Sequence, residues 1–450
     1  MNKSKGLKST KKILTALVCL TLLIAIPMSV SGTEMDIRNI VVDNDVQGNA
    51  TQYAYTNNMV ELSNGTLVVG YVDTAASEER VVVKYSTTNG RRWSDRIVID
   101  DDSGDKYHVC LAVNESSDFV HVVYVKDNGT NANIYYSTIA PITWLASSPG
   151  FVAEYDGYQD QPYIAHHTND TLDRFVTVFR VNVAGTYVLY YANMTGDTGS
   201  WSTKAPVNPT TPDNQSWPCL AQNLTNVLHL SFSEYNSTDS TWDLMYSYLN
   251  ATMFETPVQF NASHYNQVEG KVISSEDPTA DFMFYAWNEY NATNDSIHIS
   301  LVMAEDIGDA GNATVAYNGT NVSCMANNEM IRMLWINTST STSGEIYTHA
   351  INKSLVVIST GRVTDDDYVY RWPSCYWYNG TNNTNLFVVT RGTSTDVIFY
   401  DFGNVEDTTT ADQYAWVDNL IALIISVMGL MIIVVILIGI MKPFGRIGGK

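Results

Sequence analysis

Seven times along the chain, at intervals of roughly fifty residues, one pattern returns: an alternating apolar segment, then a second segment closing on aromatic and Ser/Thr residues. The closings are Val83–Thr87, Ile134–Thr138, Leu189–Asn193, Leu244–Tyr248, Ile297–Ser300, Ile346–His349 and Val397–Tyr400. A fixed period of this length, built from strands alone, predicts small sheets set radially, none able to bury its own faces. The expected fold is an all-β, seven-bladed propeller, with six blades as the alternative if the unit near Val268 to Ile299 is misread. Inner strands are expected to begin near positions 55, 108, 161, 217, 268, 322 and 373. The last unit lacks a fourth strand, while a surplus strand, Ile37–Val42, opens the chain. Pairing the two closes the ring and removes open sheet edges.

The termini set the expected location. Lys3, Lys5, Lys8, Lys11 and Lys12 precede an apolar run, Ile13–Ile26, and Ser29-Val30-Ser31 suits signal cleavage. Residues 1–32 therefore read as a secretory signal and 33–402 as the ectodomain. Residues 403–417 read as a short polar stalk, 418–441 as one transmembrane helix and 442–450 as a cytoplasmic tail. Lys442, Arg446 and Lys450 put the C-terminus inside. The expected location is a cell surface, with a virion envelope as an alternative.

Outside the signal and tail, seventeen basic residues stand against 47 acidic ones, a net charge near −30. Such a field excludes nucleic acid and anionic lipid as partners. It leaves cations, basic proteins and neutral sugars. About twenty Asn-x-Ser/Thr sequons are present, among them Asn64, Asn114, Asn128, Asn193, Asn236, Asn250, Asn291, Asn312, Asn337 and Asn379. Beyond the signal only Cys110, Cys219, Cys324 and Cys375 remain. They read as one repeated inner-strand position and hence as buried free thiols, with a Cys324–Cys375 bridge as the exception. Many sequons with few cysteines is a composition closer to an archaeal surface than to an animal one.

Loops joining an outer strand to the next inner strand, and second to third strands, share one propeller face. Those loops are acidic and aromatic. They supply the candidate ligand-binding residues Asp100, Asp102, Asp105, Tyr107, Tyr158, Asp160, Trp217, Tyr265, Asp365, Asp367, Tyr370, Arg371 and Trp372. Carboxylates beside aromatic rings suit sugars, whose hydroxyls hydrogen-bond while their apolar faces stack. They also suit Ca²⁺, although no calcium loop is complete. No cofactor is required. Arg180, Arg371 and Arg391 read as neutralising nearby acids, and His121 and His229 as packed between sheets. No catalytic triad, phosphate loop or zinc signature is present.

The first unit carries Glu61-Leu62-Ser63-Asn64-Gly65-Thr66-Leu67-Val68-Val69-Gly70 and ends in Ser86-Thr87-Thr88-Asn89-Gly90-Arg91-Arg92-Trp93. It resembles the opening blade of the sialidase-like, Asp-box (BNR-repeat) propeller superfamily, with Ser86, Asn89, Gly90 and Trp93 matching the box. Thr88 stands where the box has Asp, and Tyr55-Thr56-Asn57 where sialidases open with an arginine. The resemblance thus implies the fold and no catalytic residue. The expected function is a membrane-anchored recognition or adhesion module binding glycan or protein. A divergent glycoside hydrolase or lyase and a structural envelope glycoprotein are the alternatives.

Overall fold

The computed structural model describes residues 38–402, apart from 45, 47–49, 52–55, 75–78, 154–156, 170–171, 210–212, 251, 261–263, 275–281, 291–294, 304–305, 318, 327–329, 338–344, 353, 364–369, 378–384 and 392–395. The expected signal, stalk, transmembrane and tail segments lie outside the described residues. Among the described residues no helix is long and apolar enough to cross a membrane.

The fold is an all-β propeller. Among the described residues the strands pair into seven antiparallel sheets, five of four strands and two of five. The strands through which neighbouring sheets meet are Met59–Glu61, Asp105–Val113, Gln159–Asn169, Gln215–Gln222, Asn266–Ser274, Gly319–Ala326 and Tyr370–Trp377. The sheets are numbered first to seventh in that order, and these are their inner strands. In the seventh sheet Arg38–Asp43 pairs with Asp396–Phe402, from Arg38 opposite Asp401 to Asp43 opposite Val397. The chain's first described strand therefore completes its last sheet.

Alternation along each strand explains why neighbouring sheets stick. The residues facing the next sheet are almost all Val, Ile, Leu, Phe and Tyr, and they are buried. One continuous core runs from Cys110 and Val123 in the second sheet to Tyr285 and Trp287 in the fifth. Another joins Val42, Val46 and Val397 to Leu67, Val69 and Tyr71, seating the N-terminal segment between the seventh and first sheets.

Two hydrogen-bond devices add specificity to this apolar contact. Gln159, Gln215 and Gln267 occupy one place on their inner strands. Each side-chain oxygen accepts a backbone N–H from the preceding sheet's third strand, at Ile134 (3.1 Å), Leu189 (2.9 Å) and Leu244 (3.1 Å). Deeper along the strands, a small polar atom accepts from the next sheet. Cys219 Sγ takes the Val272 N–H at 3.4 Å, Ser323 Oγ takes that of Cys375 at 3.1 Å, and Ser374 Oγ takes that of Asn58 at 3.0 Å.

Six inner strands carry a bulge at the same point, where the register slips between Tyr107/Cys110, Asp160/Tyr163, Ser216/Cys219, Val268/Lys271, Thr320/Ser323 and Arg371/Ser374. The bulge accommodates Pro162, Pro218 and Pro373, which have no N–H to give a ladder. It also corrects the alignment of the cysteines. Cys110 and Cys219 directly follow the bulge, as do Ser323 and Ser374, whereas Cys324 and Cys375 lie one residue later on the other strand face. All four thiols are buried and free, so no Cys324–Cys375 bridge exists. Burial pushes Cys110 to about 11 and Cys375 to about 12, which keeps both as unreactive thiols.

The positions after the bulge also fill the axis. Lys271 of the fifth sheet is buried and its Nζ donates to Asn57 Oδ1 at 2.9 Å, with Tyr163 Oη of the third sheet at 3.5 Å. Lys271 thus ties the fifth sheet to the first and third at this depth.

Candidate functional site

The bulges create a ring of strained residues at the axial mouth. His108 (φ 56°), Gln161 (50°), Trp217 (56°), Glu269 (55°) and Asn321 (55°) all adopt left-handed backbone, which is uncommon for residues other than glycine. Part of the ring is self-linked. His108 Nδ1 accepts the Gln161 N–H at 3.2 Å, and Gln161 Oε1 accepts the Trp217 N–H at 2.8 Å. Burial, with help from the Arg180 charge, pushes the His108 pKa down to about 3, so the imidazole stays a neutral acceptor.

Around that ring, the second to fourth sheets build an aromatic ledge. Tyr107 Oη donates to Tyr158 Oη at 3.0 Å, and Tyr158 meets Tyr187 edge-on at 6.5 Å between centroids. The Arg180 guanidinium lies over the Tyr187 ring at 4.3 Å, grips both oxygens of Asp160 (Nε to Oδ1, 2.7 Å) and donates to Ser216 Oγ at 2.7 Å. Trp217 packs edge-to-face on Trp242 at 5.0 Å, and Trp242 on Tyr235 at 5.6 Å. Register explains the salt bridge, because Asp160 and Arg180 are direct cross-strand partners. Burial and the hydrogen bond to Tyr158 drive the Tyr107 pKa up, and burial raises that of Tyr158, so both phenols keep their protons. Burial also raises the Asp160 pKa against the pull of Arg180.

Of the expected site residues, Tyr107, Tyr158, Asp160 and Trp217 come together on this ledge, and Arg180 neutralises Asp160 as the sequence suggested. Asp100 does not join them. It is buried, accepts from Tyr124 Oη at 2.7 Å and from Lys126 Nζ at 3.2 Å, with Lys106 Nζ at 3.9 Å. An acid read as an exposed ligand residue is thus a structural anchor, paired by lysines from neighbouring strands. Asp102 is exposed but holds Lys126 at 3.1 Å, and Asp105 is exposed at the head of its strand. Tyr265 is 46% exposed. Asp365 and Asp367 lie outside the described residues, as do the side chains of Tyr370, Arg371, Trp372 and Arg391. Among the described residues, no group of three or more His, Cys, Asp and Glu side chains could hold a metal ion.

His121 and His229 are buried between sheets, as expected. His121 stacks on Phe175 at 3.5 Å and meets Asp197 at 3.2 Å, and the Tyr246 hydroxyl lies 3.0 Å from His229 Nδ1.

The third-to-fourth-strand hairpin of the first sheet lies on the opposite face. Ser86 Oγ accepts the Gly90 N–H at 2.9 Å, and Thr88 Oγ1 accepts that of Arg92 at 3.0 Å. Asn89 and Gly90 turn the chain with left-handed backbone, and Trp93 packs against the core. An open groove of about 510 Å³ lies against Thr87, Thr88, Asn89, Arg91 and Arg92.

The sequons are not equivalent. Asn64, Asn128 and Asn250 are exposed, whereas Asn193, Asn236 and Asn337 are half-buried. Asn114 is buried; its Nδ2 donates to Asp197 Oδ1 at 2.9 Å, and its Oδ1 accepts from the Ser116 N–H and hydroxyl. The expectation that Asn114 is a glycan acceptor is corrected on that ground. Asn291 and Asn379 lie outside the described residues, as does the side chain of Asn312. Peptide mapping from a glycosylating host should find Asn64 and Asn128 occupied and Asn114 bare. Occupied Asn114 would mean that this hairpin does not fold as described.

No protein-family model matches the chain, and no curated protein matches it. Solved structures do. The polysaccharide lyase Uly1 is 10% identical with a TM-score of 0.53, over 84% of this chain and 94% of that one. The α-L-arabinofuranosidase Arb93A of Fusarium graminearum is 11% identical with a TM-score of 0.47, over 82% and 99%. A subtype N10 neuraminidase-like protein of the strain A/little yellow-shouldered bat/Guatemala/060/2010 is 7% identical with a TM-score of 0.45, over 68% and 96%. At such identities the likeness to the lyase shows a shared fold alone.

Sequence reading missed Tyr187, Tyr235 and Trp242. Each lies at the second-to-third-strand turn of its sheet, and only the shared face of those turns with the inner-strand heads could have found them.

Proposed function

We propose that this chain is a surface-displayed, glycosylated glycan-recognition propeller that binds through the aromatic ledge of its second to fourth sheets. The ledge itself carries the reading: half-buried Tyr158, Tyr187, Trp217 and Trp242 present rings beside an Arg–Asp pair, the mix that stacks on sugars and orients their hydroxyls. The name of the polysaccharide lyase supports sugars as the ligand class. Binding is favoured over turnover because Asp160 and Arg180 satisfy each other and both tyrosines hold their protons.

The finer architecture belongs to the same proposal. The seven sheets are the blades of one closed ring, the signal is removed, and residues 418–441 anchor the chain. Tyr370–Trp377 runs away from the ledge face, Asn385–Arg391 returns, and Asp396–Phe402 runs away again. The chain thus leaves on the opposite face, and the ledge points away from the membrane.

The test is a panel of neutral and acidic oligosaccharides probed with the full-length protein in detergent. Saturable capture of neutral oligosaccharides is expected. Capture of none, with a surface protein captured instead, would replace the glycan reading with a protein partner.

A further inference from the structure

One carboxylate at the axial mouth breaks the pattern of its ring. His108 and Gln161 each spend a side-chain acceptor on the next bulge's N–H. Glu269 stands at the same position on the fifth sheet, one sheet on from Trp217. Its Oε2 accepts from Asn288 Nδ2 at 2.8 Å, and among the described residues its Oε1 has no hydrogen-bond partner. The residue is half-buried, and its Oε1 is not among the sealed polar atoms, so solvent reaches it. Asn288 is fully buried, and among the described residues its own Oδ1 is also unpartnered. Asn288 Oδ1 is one of several buried polar atoms without a partner among the described residues; what sets this pair apart is the left-handed backbone of Glu269 at the head of its bulge.

The aromatic ledge is next door. The inner strands Gln215–Gln222 and Asn266–Ser274 pack directly, with the Val272 N–H on Cys219 Sγ and Ser231 Oγ donating to Gly270 O at 3.0 Å. Trp242, the partner of Trp217, donates its backbone N–H to Asn266 Oδ1 at 3.1 Å. Gly270 permits this approach, since a Cβ there would lie 2.4 Å from Leu244 Cδ1.

We infer that Glu269, oriented by Asn288, is the acceptor that takes the hydroxyls of a neutral sugar stacked on the Trp217–Trp242 edge of the ledge. The inference rests on the glycan reading and assigns its polar anchor. A sugar supplies what Oε1 lacks, O–H donors, and a hydrogen bond to an ionised acceptor is the stronger kind.

The assignment makes binding pH-dependent. Burial raises the Glu269 pKa to about 7, against the lowering effect of the Asn288 hydrogen bond. The ionisable groups on strands packed against it are Lys271 on its own strand, Cys219, His229, Glu234, Asp243, Glu289, Cys324 and the tyrosines Tyr235, Tyr246, Tyr248, Tyr285 and Tyr290, and none of them contributes to the shift. Hydroxyl donors stabilise the carboxylate, so binding pulls its pKa down, and affinity must rise as pH rises through about 7. If the bound group returns to the ordinary glutamate value near 4.3, affinity climbs roughly tenfold to thirtyfold between pH about 5.5 and about 8.5.

The experiment titrates full-length protein against a panel of α- and β-linked gluco-, manno- and galacto-oligosaccharides at pH values across that range, with wild type and Glu269→Gln. Wild type should show the rise. Glu269→Gln keeps the shape and the Asn288 contact but not the charge, so its affinity should be flat with pH and about tenfold weaker at high pH. The wild-type profile decides alone if the variant fails to fold. Binding that is lost on truncating Trp217 and Trp242 but indifferent to pH and to Glu269→Gln overturns this assignment and leaves the ledge standing. Absence of binding to any sugar overturns both.

Discussion

Removing residues 34–45 should unfold the whole propeller rather than fray one end. The strand Arg38–Asp43 is the outer strand of the seventh sheet, and Val42 and Val46 are buried against the first. Deletion would open the edge of Asp396–Phe402 and expose two apolar faces at once. Asp43 concentrates the effect in one side chain. Its carboxylate accepts from Arg96 Nε at 2.7 Å and from the Tyr71 hydroxyl, with Lys84 Nζ at 3.2 Å. Arg96, Lys84 and Tyr71 belong to the first sheet, so this cluster clasps the last sheet to the first. Asp43→Ala would leave the Tyr71 hydroxyl without its acceptor, cut Arg96 back to Asn44 O and Asp73, cut Lys84 back to Val42 O, and should cost about 3 kcal/mol. Asp43→Asn should cost less, since it keeps one acceptor.

The same clasp has a pH signature. Burial pushes the Asp43 pKa up, but the hydrogen bonds from Arg96 and Tyr71 and the charge of Lys84 outweigh it, and the net shift is downward. A carboxyl whose folded pKa is depressed contributes stability above its unfolded pKa, near 3.9, and loses it as pH falls through the folded value. Asp197, held near 2 chiefly by its hydrogen bond to His121, adds to the same window. Calorimetry should show one transition whose midpoint drops below pH about 4, less steeply in Asp43→Asn. An unchanged midpoint after deleting 34–45 would reject the clasp.

Much of this was legible in the sequence for a simple reason. Strand period and a surplus strand are properties of order along the chain, and they led from Ile37–Val42 directly to its partner Val397–Tyr400. The errors share a cause too. Side-chain fate depends on residues that register, not order, brings close. Asp100 has the sequence neighbours of a loop acid, yet Lys106 and Lys126 neutralise it from neighbouring strands. The cysteines were aligned by identity, whereas the bulge had moved two of them one residue along and onto the other strand face. Glu269 belongs to no motif, because a lone acid in a strand of mixed polar and apolar residues carries no signal. It stands out only once five left-handed residues are found at one level of the axis.

Replacing Trp217 and Trp242 together with Ala should abolish sugar capture while leaving a folded propeller. The two rings are half-buried and meet edge-to-face at 5.0 Å. An aromatic pair at the centre of a binding face characteristically costs at least about 2 kcal/mol on truncation, or roughly thirtyfold in affinity. The stability cost is smaller than for a core tryptophan because these rings cover the Gln215–Gln222 strand from outside. Leu220, Leu228 and Leu244 keep the sheet interface beneath them. Arg91→Ala with Arg92→Ala provides the control, since that groove lies on the opposite face. Loss of capture in the arginine pair, with the tryptophan pair still binding, would move the recognition surface to the third-to-fourth-strand hairpin of the first sheet. It would also turn the expected ligand from a neutral sugar to an anionic one, because two exposed guanidinium groups select negative charge where stacked indoles select an apolar sugar face.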